Sequence, residues 1–319
     1  MSKKYDVIAM GELLIDFTMN GKSDQGNNLF ECCPGGAPCN VLAMLSKWGK
    51  KTSFLGKVGN DMFGSLLRNT LNQCNIDTSH LYTDKETNTT LAFVTTLDDG
   101  DREFSFYRNP GADMMLREDE VDEDYIKDSK VFHFGTLSMT HEGVRKATKK
   151  ALDIAKNNGL MITFDPNLRP LLWDSLDNAK EQMRYGFQYC DLLKISDNEI
   201  QFYTGKEDYD EGIKALLEEF DIPLILLTMG KDGSRAYYKG RRIEVPGCKV
   251  DAIETTGAGD TFCGTSISYI LDHGIDNLSD EELKEMLTKA NVAAAIITTR
   301  KGAIRSMPDV EEIENRMKM

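Results

Sequence analysis

The strongest constraint on the fold of this chain is an alternation of short apolar runs with longer amphipathic segments, which begins at about residue 130. One run, Pro223-Leu-Ile-Leu-Leu-Thr228, is apolar almost throughout, as expected of a strand that is buried on both faces. The same pattern predicts strands at 131–134, 160–164 and 191–195, and helices at 141–158, through Met183 and Phe187, at 198–203 and at 209–220. Strands that alternate with such helices predict a three-layer α/β/α domain with a mostly parallel central sheet, which binds ligands at the carboxyl ends of its strands.

Two stretches, at 13–33 and at 89–110, interrupt this alternation. In the second stretch, alternating residues flank Asp98-Asp-Gly-Asp101, a pattern typical of a β-hairpin. We expect both stretches to form one small antiparallel β-sheet that acts as a lid on a single α/β domain spanning residues 1–319; a decoration of the sheet edge is the alternative. Because open strand edges commonly pair with another chain, a homodimer through the lid is also expected.

Composition narrows the classes of function. The formal net charge of −14 argues against nucleic acid as a partner, because a protein that binds phosphate backbones concentrates Lys and Arg. No stretch approaches the roughly 18 apolar residues of a membrane-spanning helix, so we expect no membrane partner. The seven cysteines include no C-x-x-C pair, which favours neither a zinc site nor a disulfide framework and predicts a reducing, cytoplasmic location.

The motif with the clearest chemistry is Gly257-Ala-Gly-Asp260, which stands immediately before an apolar helical segment from Thr261 to Leu271. The three small residues let backbone N–H groups close around an anion, and the helix N-terminus adds partial positive charge. Asp260 places a carboxylate beside this anion hole. An anion hole next to a proton acceptor is the minimum equipment of a phosphoryl transferase, although the motif alone is more simply explained as a glycine-rich turn with an acidic cap.

A second group of small and polar residues lies near the N-terminus, before a predicted helix with apolar residues from Val41 to Trp48. Gly35 and Gly36 let a ligand approach the backbone closely, and the amide of Asn40 can bind two hydroxyl groups at once. Asp16 could accept hydrogen bonds from a pair of vicinal hydroxyls. Each residue alone is explained as well by a turn or a cap. The sequence contains no Walker-type phosphate loop, protein-kinase motif or H-E-x-x-H motif, and its four histidines have no metal spacing.

Taken together, Gly35-Gly36 with Asn40 and Thr256-Gly-Ala-Gly-Asp260 resemble the paired signatures of the ribokinase-like (pfkB) carbohydrate kinases, and the resemblance spans nearly the whole chain. It implies the ribokinase-like fold and an ATP-dependent sugar kinase that uses Mg²⁺. The strings most similar to those of fructokinases are Gly11-Glu-Leu-Leu-Ile-Asp-Phe17, Gly36-Ala-Pro, Phe106-Tyr-Arg-Asn-Pro-Gly-Ala-Asp113, Phe164-Asp-Pro-Asn-Leu-Arg169 and Lys194-Ile-Ser-Asp-Asn-Glu199.

The resemblance also implies a role for each matching residue. Asp260 would take the proton from the sugar hydroxyl, and as a carboxylate at a helix N-terminus it should stay ionised near pH 7. The N–H groups that would hold the transferring phosphoryl group are those of Gly257, Ala258 and Gly259. The residues that would grip the sugar or position phosphate oxygens beside it are Asp16, Gly35, Gly36, Asn40, Phe106, Arg108, Asn167 and Arg169. Those that would bind the nucleotide are Lys194, Ser196, Thr228, Gly230, Gly233 and Asn291, while Glu199 would organise Mg²⁺ through water.

Two positions depart from the family pattern. The N-x-x-E motif that organises Mg²⁺ appears here as Ser196-Asp-Asn-Glu199, and Glu254 stands where the D-T-x-G-A-G-D signature opens with Asp. In the family, this signature and a later loop, here at 297–306, often bind a monovalent cation such as K⁺, mainly through carbonyl oxygens. The longer Glu254 side chain leaves the presence of that cation open. The residues that the resemblance assigns to it are Glu254, Thr256, Ile297, Arg300, Gly302 and Ser306.

Our main hypothesis is an ATP-dependent fructokinase that forms fructose 6-phosphate. The nearest alternative changes only the acceptor, because the pair Tyr107-Arg108 is similar to one that meets the sugar-acid carboxylate in 2-keto-3-deoxygluconate kinases. Ribose, another hexose or a nucleoside is a further alternative acceptor. A sugar-binding regulator without catalysis belongs to a different class, but it predicts loss of the base or of the anion hole, and both are intact.

Overall fold

The computed structural model describes residues 3–96 and 102–318. The strands, numbered along the chain, are β1 (Tyr5–Met10), β2 (Leu14–Lys22), β3 (Asn28–Gly35), β4 (Thr52–Gly59), β5 (Ile76–Asp77), β6 (Leu81–Asp84), β7 (Leu91–Thr96), β8 (Arg102–Tyr107), β9 (Ser129–Gly135), β10 (Met161–Asp165), β11 (Leu192–Ser196), β12 (Leu224–Thr228), β13 (Ser234–Tyr238) and β14 (Arg241–Val245). The helices are α1 (Ala37–Lys47), α2 (Met62–Gln73), α3 (Glu123–Lys127), α4 (Glu142–Asn157), α5 (Leu176–Phe187), α6 (Asp197–Thr204), α7 (Tyr209–Glu219), α8 (Ala258–His273), α9 (Asp280–Thr298) and α10 (Val310–Met317).

Ten of the described strands form the central sheet, in the order β14-β13-β12-β11-β10-β9-β1-β4-β5, with β6 also paired to β4. Among the described residues, only the pairs β12–β13 and β13–β14 of this sheet are antiparallel. Helices α4 to α7 pack against one face, and α1, α2, α8, α9 and α10 pack against the other. The predicted three-layer α/β/α class is therefore confirmed.

The two helical layers explain the continuous apolar run in β12. Successive side chains of a strand point to opposite faces of the sheet. Ile225 and Leu227 accordingly pack in the core under α4 to α7, whereas Leu224 and Leu226 pack in the core under α8 and α9. All four side chains are fully buried, so a polar residue at any of these positions would lose its water without gaining a partner.

The second sheet has the strand order β3-β2-β7-β8. The pairs β2–β3 and β7–β8 are antiparallel, as predicted, but β2 and β7 pair in parallel. Each of β2 and β7 pairs with the strand that follows it in the chain. The two antiparallel pairs then lie side by side, with β2 and β7 running in the same direction. The turn predicted at Asp98-Asp-Gly-Asp101 lies outside the described residues.

Helices α1 and α8 begin earlier than the sequence pattern predicts, and this changes where Asn40 and Asp260 lie. Helix α1 begins at Ala37 and α8 begins at Ala258, so Asn40 and Asp260 lie in the first turns of their helices rather than before them. Both helix starts lie near the edge where the parallel strands have their carboxyl ends, which is where a sheet of this type binds ligands. Among the described residues, no helix combines the length and apolar character needed to span a membrane.

The aromatic packing of α5 gives a test of the core. Phe187 is 1% exposed, and its ring lies 5.7, 4.8 and 5.5 Å from the rings of Phe164, Tyr203 and Phe220. We expect F187A to lower the free energy of unfolding by about 3–5 kcal/mol, because the truncation leaves a cavity. L176A, in the same helix but 49% exposed, should change it by less than about 0.5 kcal/mol. Urea denaturation measures both variants, and equal midpoints would contradict this packing.

Candidate active site

A cavity of about 430 Å³ lies between the second sheet and the carboxyl ends of the central strands. The second sheet contributes Leu14, Thr18 and Val94 to its wall. The cavity also collects polar and glycine residues from segments that are far apart in the sequence. The predicted site residues that line it are Asp16, Gly36, Asn40, Phe106, Asn167, Arg169, Lys194, Glu254, Thr256, Gly257, Gly259, Asp260 and Gly302.

Asp260 lies in the first turn of α8 and is 8% exposed. Its Oδ2 atom accepts a hydrogen bond of 2.7 Å from Asn40 Nδ2, and its Oδ1 atom accepts a longer one of 3.4 Å from Asn167 Nδ2. The two amides approach the carboxylate from α1 and from the loop after β10, so they fix its orientation. Asn40 Oδ1 is buried without a partner in the described part of the chain, which leaves an acceptor for a ligand hydroxyl.

The turn before α8 presents backbone donors to the same space. Gly257 has a φ of +78°, a conformation that glycine adopts at little cost, and it lets the helix start abruptly. The Ala258 N–H donates to the Thr255 carbonyl at 3.2 Å, whereas no hydrogen bond engages the N–H groups of Gly257 and Gly259 within the described residues. Unpaired N–H groups at a helix start are donors for an anion. Of the three predicted anion-hole amides, Gly257 and Gly259 are therefore the available ones.

Burial raises the pKa of Asp260 above the ordinary value for an aspartate, because an ionised carboxylate loses solvation inside the protein. The hydrogen bond from Asn40 and the positive charges of Lys194 and Arg169 oppose this shift. From the sequence, Asp260 was expected to stay ionised because of the helix N-terminus alone. In the folded protein the ionised form also depends on this amide and these two cations.

A buried ion pair lies beneath the anion hole. Lys194 Nζ is 3.2 and 3.1 Å from the two carboxylate oxygens of Asp165, and a Cβ atom added at Gly259 would lie 2.9 Å from the same Nζ. Asp165 also accepts the N–H of Asn167 at 3.2 Å, and so positions the residue whose side chain reaches Asp260. Burial raises the pKa of Asp165 to about 7, against the charge of Lys194. The sequence analysis did not select Asp165. A carboxylate at the carboxyl end of a buried strand is typical of a ligand-binding position, and this feature could have identified it.

Asp16, on β2, lines the same cavity. Its Oδ2 atom packs directly against Gly35, where an added Cβ would lie 2.3 Å away, and burial raises its pKa to about 7. The next residue, Gly36, has a φ of +127° and leaves only 2.4 Å between an added Cβ and the carbonyl oxygen of Glu12. Glu12 Oε1 accepts the N–H of Ala37 at 2.8 Å and so holds the start of α1. Glu12 is a second residue that the sequence analysis did not select. Its position, as an acidic residue shortly after strand β1, could have identified it.

Arg108 is not among the cavity-lining residues of the described chain. Its guanidinium is buried and bonded to Asp113 through Nε at 2.8 Å and Nη2 at 2.7 Å. Nη1 donates to Thr140 Oγ1 at 2.9 Å, and Nη2 also donates to the Leu137 carbonyl at 3.0 Å. Of the two lid residues expected to contact a sugar, only Phe106 borders the cavity. A sugar contact of Arg108 stays a prediction, and this geometry lends it no support.

Ser196 and Glu199 form a capping box at the start of α6. Ser196 Oγ accepts the Glu199 N–H at 3.3 Å, and Glu199 Oε2 accepts the Ser196 N–H at 2.8 Å. Glu199 Oε1 accepts the N–H of Leu168 at 2.8 Å, so Glu199 also anchors the loop that carries Asn167 and Arg169. Both carboxylate oxygens therefore have donors from the chain. In the parts of the chain that the structure describes, no group of three or more His, Cys, Asp or Glu side chains is placed to hold a metal ion.

The remaining predicted nucleotide residues converge outside this cavity, near the end of β14. Thr228 ends β12, and Gly230 and Gly233 bound the turn that follows it. A Cβ atom added at Gly233 would lie 2.2 Å from the Val245 carbonyl oxygen, and Asn291 Nδ2 donates to the same oxygen at 3.3 Å. Gly233 and Asn291 therefore meet at the end of β14, and none of these four residues is part of the cavity lining in the described chain.

The residues assigned to a monovalent cation are divided between two positions. Three of them, Glu254, Thr256 and Gly302, line the cavity. Ile297, Arg300 and Ser306 are not part of its lining in the described chain, and the Arg300 guanidinium donates to the Ser306 carbonyl at 3.3 Å.

Because the pKa of Asp16 is raised in the folded protein, the free energy of unfolding depends on pH. Because its folded-state pKa of about 7 exceeds the ordinary 3.8, the folded protein binds more protons between these values, and its free energy of unfolding falls as pH rises. We expect D16N to be more stable than the unmodified protein by ~1–2 kcal/mol at about pH 8, allowing for the partial exposure of the side chain, and equally stable near pH 4. Urea denaturation across this range measures the gap. D24N, in the exposed turn between β2 and β3, is the control, and a gap independent of pH would contradict the assignment.

Comparison with known proteins agrees with this geometry. The family model described as "pfkB family carbohydrate kinase" matches residues 4–310. Among curated proteins, "Probable fructokinase-4" from Arabidopsis thaliana is 40% identical over 314 residues, which cover 98% of this chain and 96% of that protein.

Solved structures are similar over their full length. Fructokinase from Xylella fastidiosa with bound ATP has a TM-score of 0.89 at 28% identity, covering 99% of this chain and 98% of that chain. A double mutant of fructokinase from Vibrio cholerae O395 in a fructose, ADP and potassium ion bound form has a TM-score of 0.87 at 27% identity, covering 99% and 100%. The chain therefore belongs to the pfkB family of carbohydrate kinases and is a sugar phosphotransferase.

Proposed function

We propose that the chain is an ATP-dependent fructokinase, which transfers the γ-phosphoryl group of ATP to the primary hydroxyl of D-fructose and forms fructose 6-phosphate. The observation that carries the proposal is the position of Asp260, a carboxylate at a helix start that is held by Asn40 and Asn167 and lines the same cavity as Asp16. The names of the fructokinase relatives support fructose as the acceptor. All seven cysteines are free thiols, which supports the reducing cytoplasm as the location.

In the proposed reaction the sugar lies between Asp16 and Asp260. Asp16 and the unpartnered Oδ1 atom of Asn40 accept hydrogen bonds from sugar hydroxyls. Asp260 accepts the proton of the primary hydroxyl as that oxygen attacks the γ-phosphorus. The new oxygen–phosphorus bond forms while the bond to the β–γ bridging oxygen breaks, so ADP leaves with the electron pair and the proton ends on Asp260.

The transferring phosphoryl group meets positive groups that are already in position. The N–H groups of Gly257 and Gly259 donate to its oxygens, and the start of α8 adds partial positive charge. Lys194 and Arg169, which also line the cavity, supply two full charges. Because Asp165 holds Lys194 at 3.1 Å, this cation needs no rearrangement when charge develops on the phosphoryl group.

ATP would bind at the surface formed by Thr228, Gly230, Gly233 and Asn291, with its phosphates directed toward the anion hole; the ATP-bound Xylella relative supports this cofactor. A Mg²⁺ ion that binds with ATP would be held mainly by phosphate oxygens and water, and Glu199, whose negative charge acts on both Asp165 and Asp260, would orient that water. When bound, such an ion neutralises charge on the β- and γ-phosphates.

The small sheet is proposed to act as a lid on the single domain that spans residues 1–319. Thr18, Val94 and Phe106 project from its strands into the cavity wall. A lid that closes over the sugar excludes water, which would otherwise accept the phosphoryl group and waste ATP by hydrolysis.

The lid favours a neutral sugar over a sugar acid. The guanidinium of Arg108 is paired with Asp113 at 2.7 Å, so its charge is already balanced inside the protein. Tyr107 is 66% exposed, and its ring meets Phe93 at 5.4 Å, on the opposite side of the lid from Phe106. A Tyr-Arg pair that binds a carboxylate would need the guanidinium free to face the cavity.

A coupled assay of ADP release tests the acceptor. With ATP and Mg²⁺, we expect a kcat/KM for fructose at least about tenfold above that for ribose, glucose or 2-keto-3-deoxygluconate, because hydroxyl-specific hydrogen bonds discriminate strongly between acceptors. A higher kcat/KM for 2-keto-3-deoxygluconate would show that the acceptor is a sugar acid and not fructose. If no sugar increased ADP release, the protein would be a sugar-binding regulator and not a kinase.

D260N is the matched variant for the same assay, because the amide keeps the shape of the carboxylate but cannot accept the proton. We expect kcat to fall by about 10²- to 10⁴-fold, with a change of less than about threefold in the KM for ATP. D24N, on the exposed lid turn, should keep full activity. A D260N protein with normal kcat would exclude Asp260 as the base.

We infer that a second copy of the chain binds the outer face of the lid. The rings of Phe17, Phe30 and Tyr107 surround Phe93 on this face, with centroid distances of 4.8, 5.5 and 5.4 Å. Phe30 belongs to β3, which is an edge strand of this sheet. An apolar patch beside an open strand edge suits a self-complementary interface, in which the same surface serves both copies.

Size-exclusion chromatography with light scattering tests this dimer. The unmodified protein should have twice the mass of one chain, and Y107E should have the mass of one, because the new charge would be buried between the copies. L217E, at a residue on α7 that is 42% exposed, is the control and should stay dimeric. A single-chain mass for the unmodified protein would remove the proposal.

A further inference from the structure

The loop that leads into the anion hole lies against the loop that follows α9. The N–H groups of Ile253 and Glu254 both donate to the Thr298 carbonyl, at 2.7 and 3.0 Å. Further along, a Cβ atom added at Gly257 would lie 3.1 Å from the Cβ atom of Ala303. The position of Gly257, and with it one donor of the anion hole, therefore depends on how the two loops are joined.

The side chain of Glu254 makes a further link between them. It is 9% exposed; its Oε1 atom accepts the hydroxyl of Thr256 at 2.6 Å, and its Oε2 atom accepts the N–H of Gly302 at 3.1 Å. Glu254 and Gly302 are 48 residues apart in the chain. The carboxylate thus bridges both loops with charge-assisted hydrogen bonds, which are among the stronger kind.

This arrangement does not suit a cation bound by Glu254. Each oxygen of Glu254 already accepts one donor, an O–H or an N–H, so a monovalent cation could use only the remaining lone pairs and would compete with the positive ends of these donors. A cation placed against Oε2 would also lie close to the partly positive N–H of Gly302. Two carbonyl oxygens of the later loop also have donors already: that of Ile297 accepts the N–H of Arg300 at 3.1 Å, and that of Ser306 accepts the Arg300 guanidinium at 3.3 Å.

We propose that Glu254 is a positioning residue that joins the two loops by itself, so that the anion hole of this chain forms without a monovalent cation. The methylene that distinguishes Glu from Asp is what lets the carboxylate span from Thr256 to Gly302. A shorter Asp at position 254 would leave the Gly302 N–H without its acceptor and the two loops less firmly joined.

Hydrogen exchange tests the proposal without relying on catalysis. The Gly302 amide should be protected from exchange in a buffer with tetramethylammonium as the monovalent cation, and adding K⁺ should change its exchange rate by less than about twofold. In E254D the same amide should exchange at least about tenfold faster, because its hydrogen bond is lost. Protection in the unmodified protein that appears only with K⁺ would overturn the proposal.

Steady-state kinetics give the second readout, which rests on the proposed kinase activity. The unmodified protein should change its kcat by less than about twofold with K⁺, whereas E254D should lose about tenfold in kcat without K⁺ and regain part of it with K⁺. E282D is the matched control, since Glu282 accepts the Ser279 N–H at 2.8 Å at the far end of α9, and it should gain no K⁺ dependence. More than tenfold activation of the unmodified protein by K⁺ would overturn the proposal. If no sugar were phosphorylated, the proposed function would fail while the exchange measurement would still decide the role of Glu254.

Discussion

The site depends on one buried negative charge at the start of α8. Asn40 and Asp260 are 220 residues apart, and the 2.7 Å bond between them joins the first turns of α1 and α8. The two helices pack closely enough to allow it, because a Cβ atom at Gly264 would lie only 2.8 Å from the Val41 carbonyl oxygen. A buried carboxylate without donors is costly, so the fold must bring both helix starts to one point before this site can exist.

The neighbouring charges show that the site is arranged for ligands at the expense of stability. Burial raises the pKa values of Glu12, Asp16 and Asp165 to about 7, and few cations oppose these carboxyl groups. The charge of Lys194 is balanced by its ion pair with Asp165. The positive charge of Arg169 opposes the rise in pKa of both Asp16 and Asp260. A sugar that donates hydroxyl groups to such carboxylates offsets part of their desolvation, which is one reason that active sites tolerate them.

Local patterns predicted the main elements well because they depend on residues a few positions apart. The helix predicted at 141–158 is Glu142–Asn157, and the run that ends at Thr228 is strand β12. The starts of α1 and α8 were placed too late, since Pro38 and the glycines before Asp260 are typical of turns. Proline is nevertheless favoured in the first helical turn, where its missing N–H costs nothing. The parallel pairing of β2 with β7 had no local signal, because it joins two hairpins that are distant in the sequence.

The sequence by itself determined the layered α/β architecture, the position of the anion-hole motif before a helix and the family to which the chain belongs. Only the tertiary structure decided which partner each charged side chain has. It bonds Arg108 to Asp113 and Thr140 instead of leaving it free for a sugar, and it sets Glu254 against the N–H of Gly302. The physical reason is distance: periodicity and motifs act over a few residues, whereas hydrogen bonds and ion pairs form between any groups that folding brings within about 3 Å.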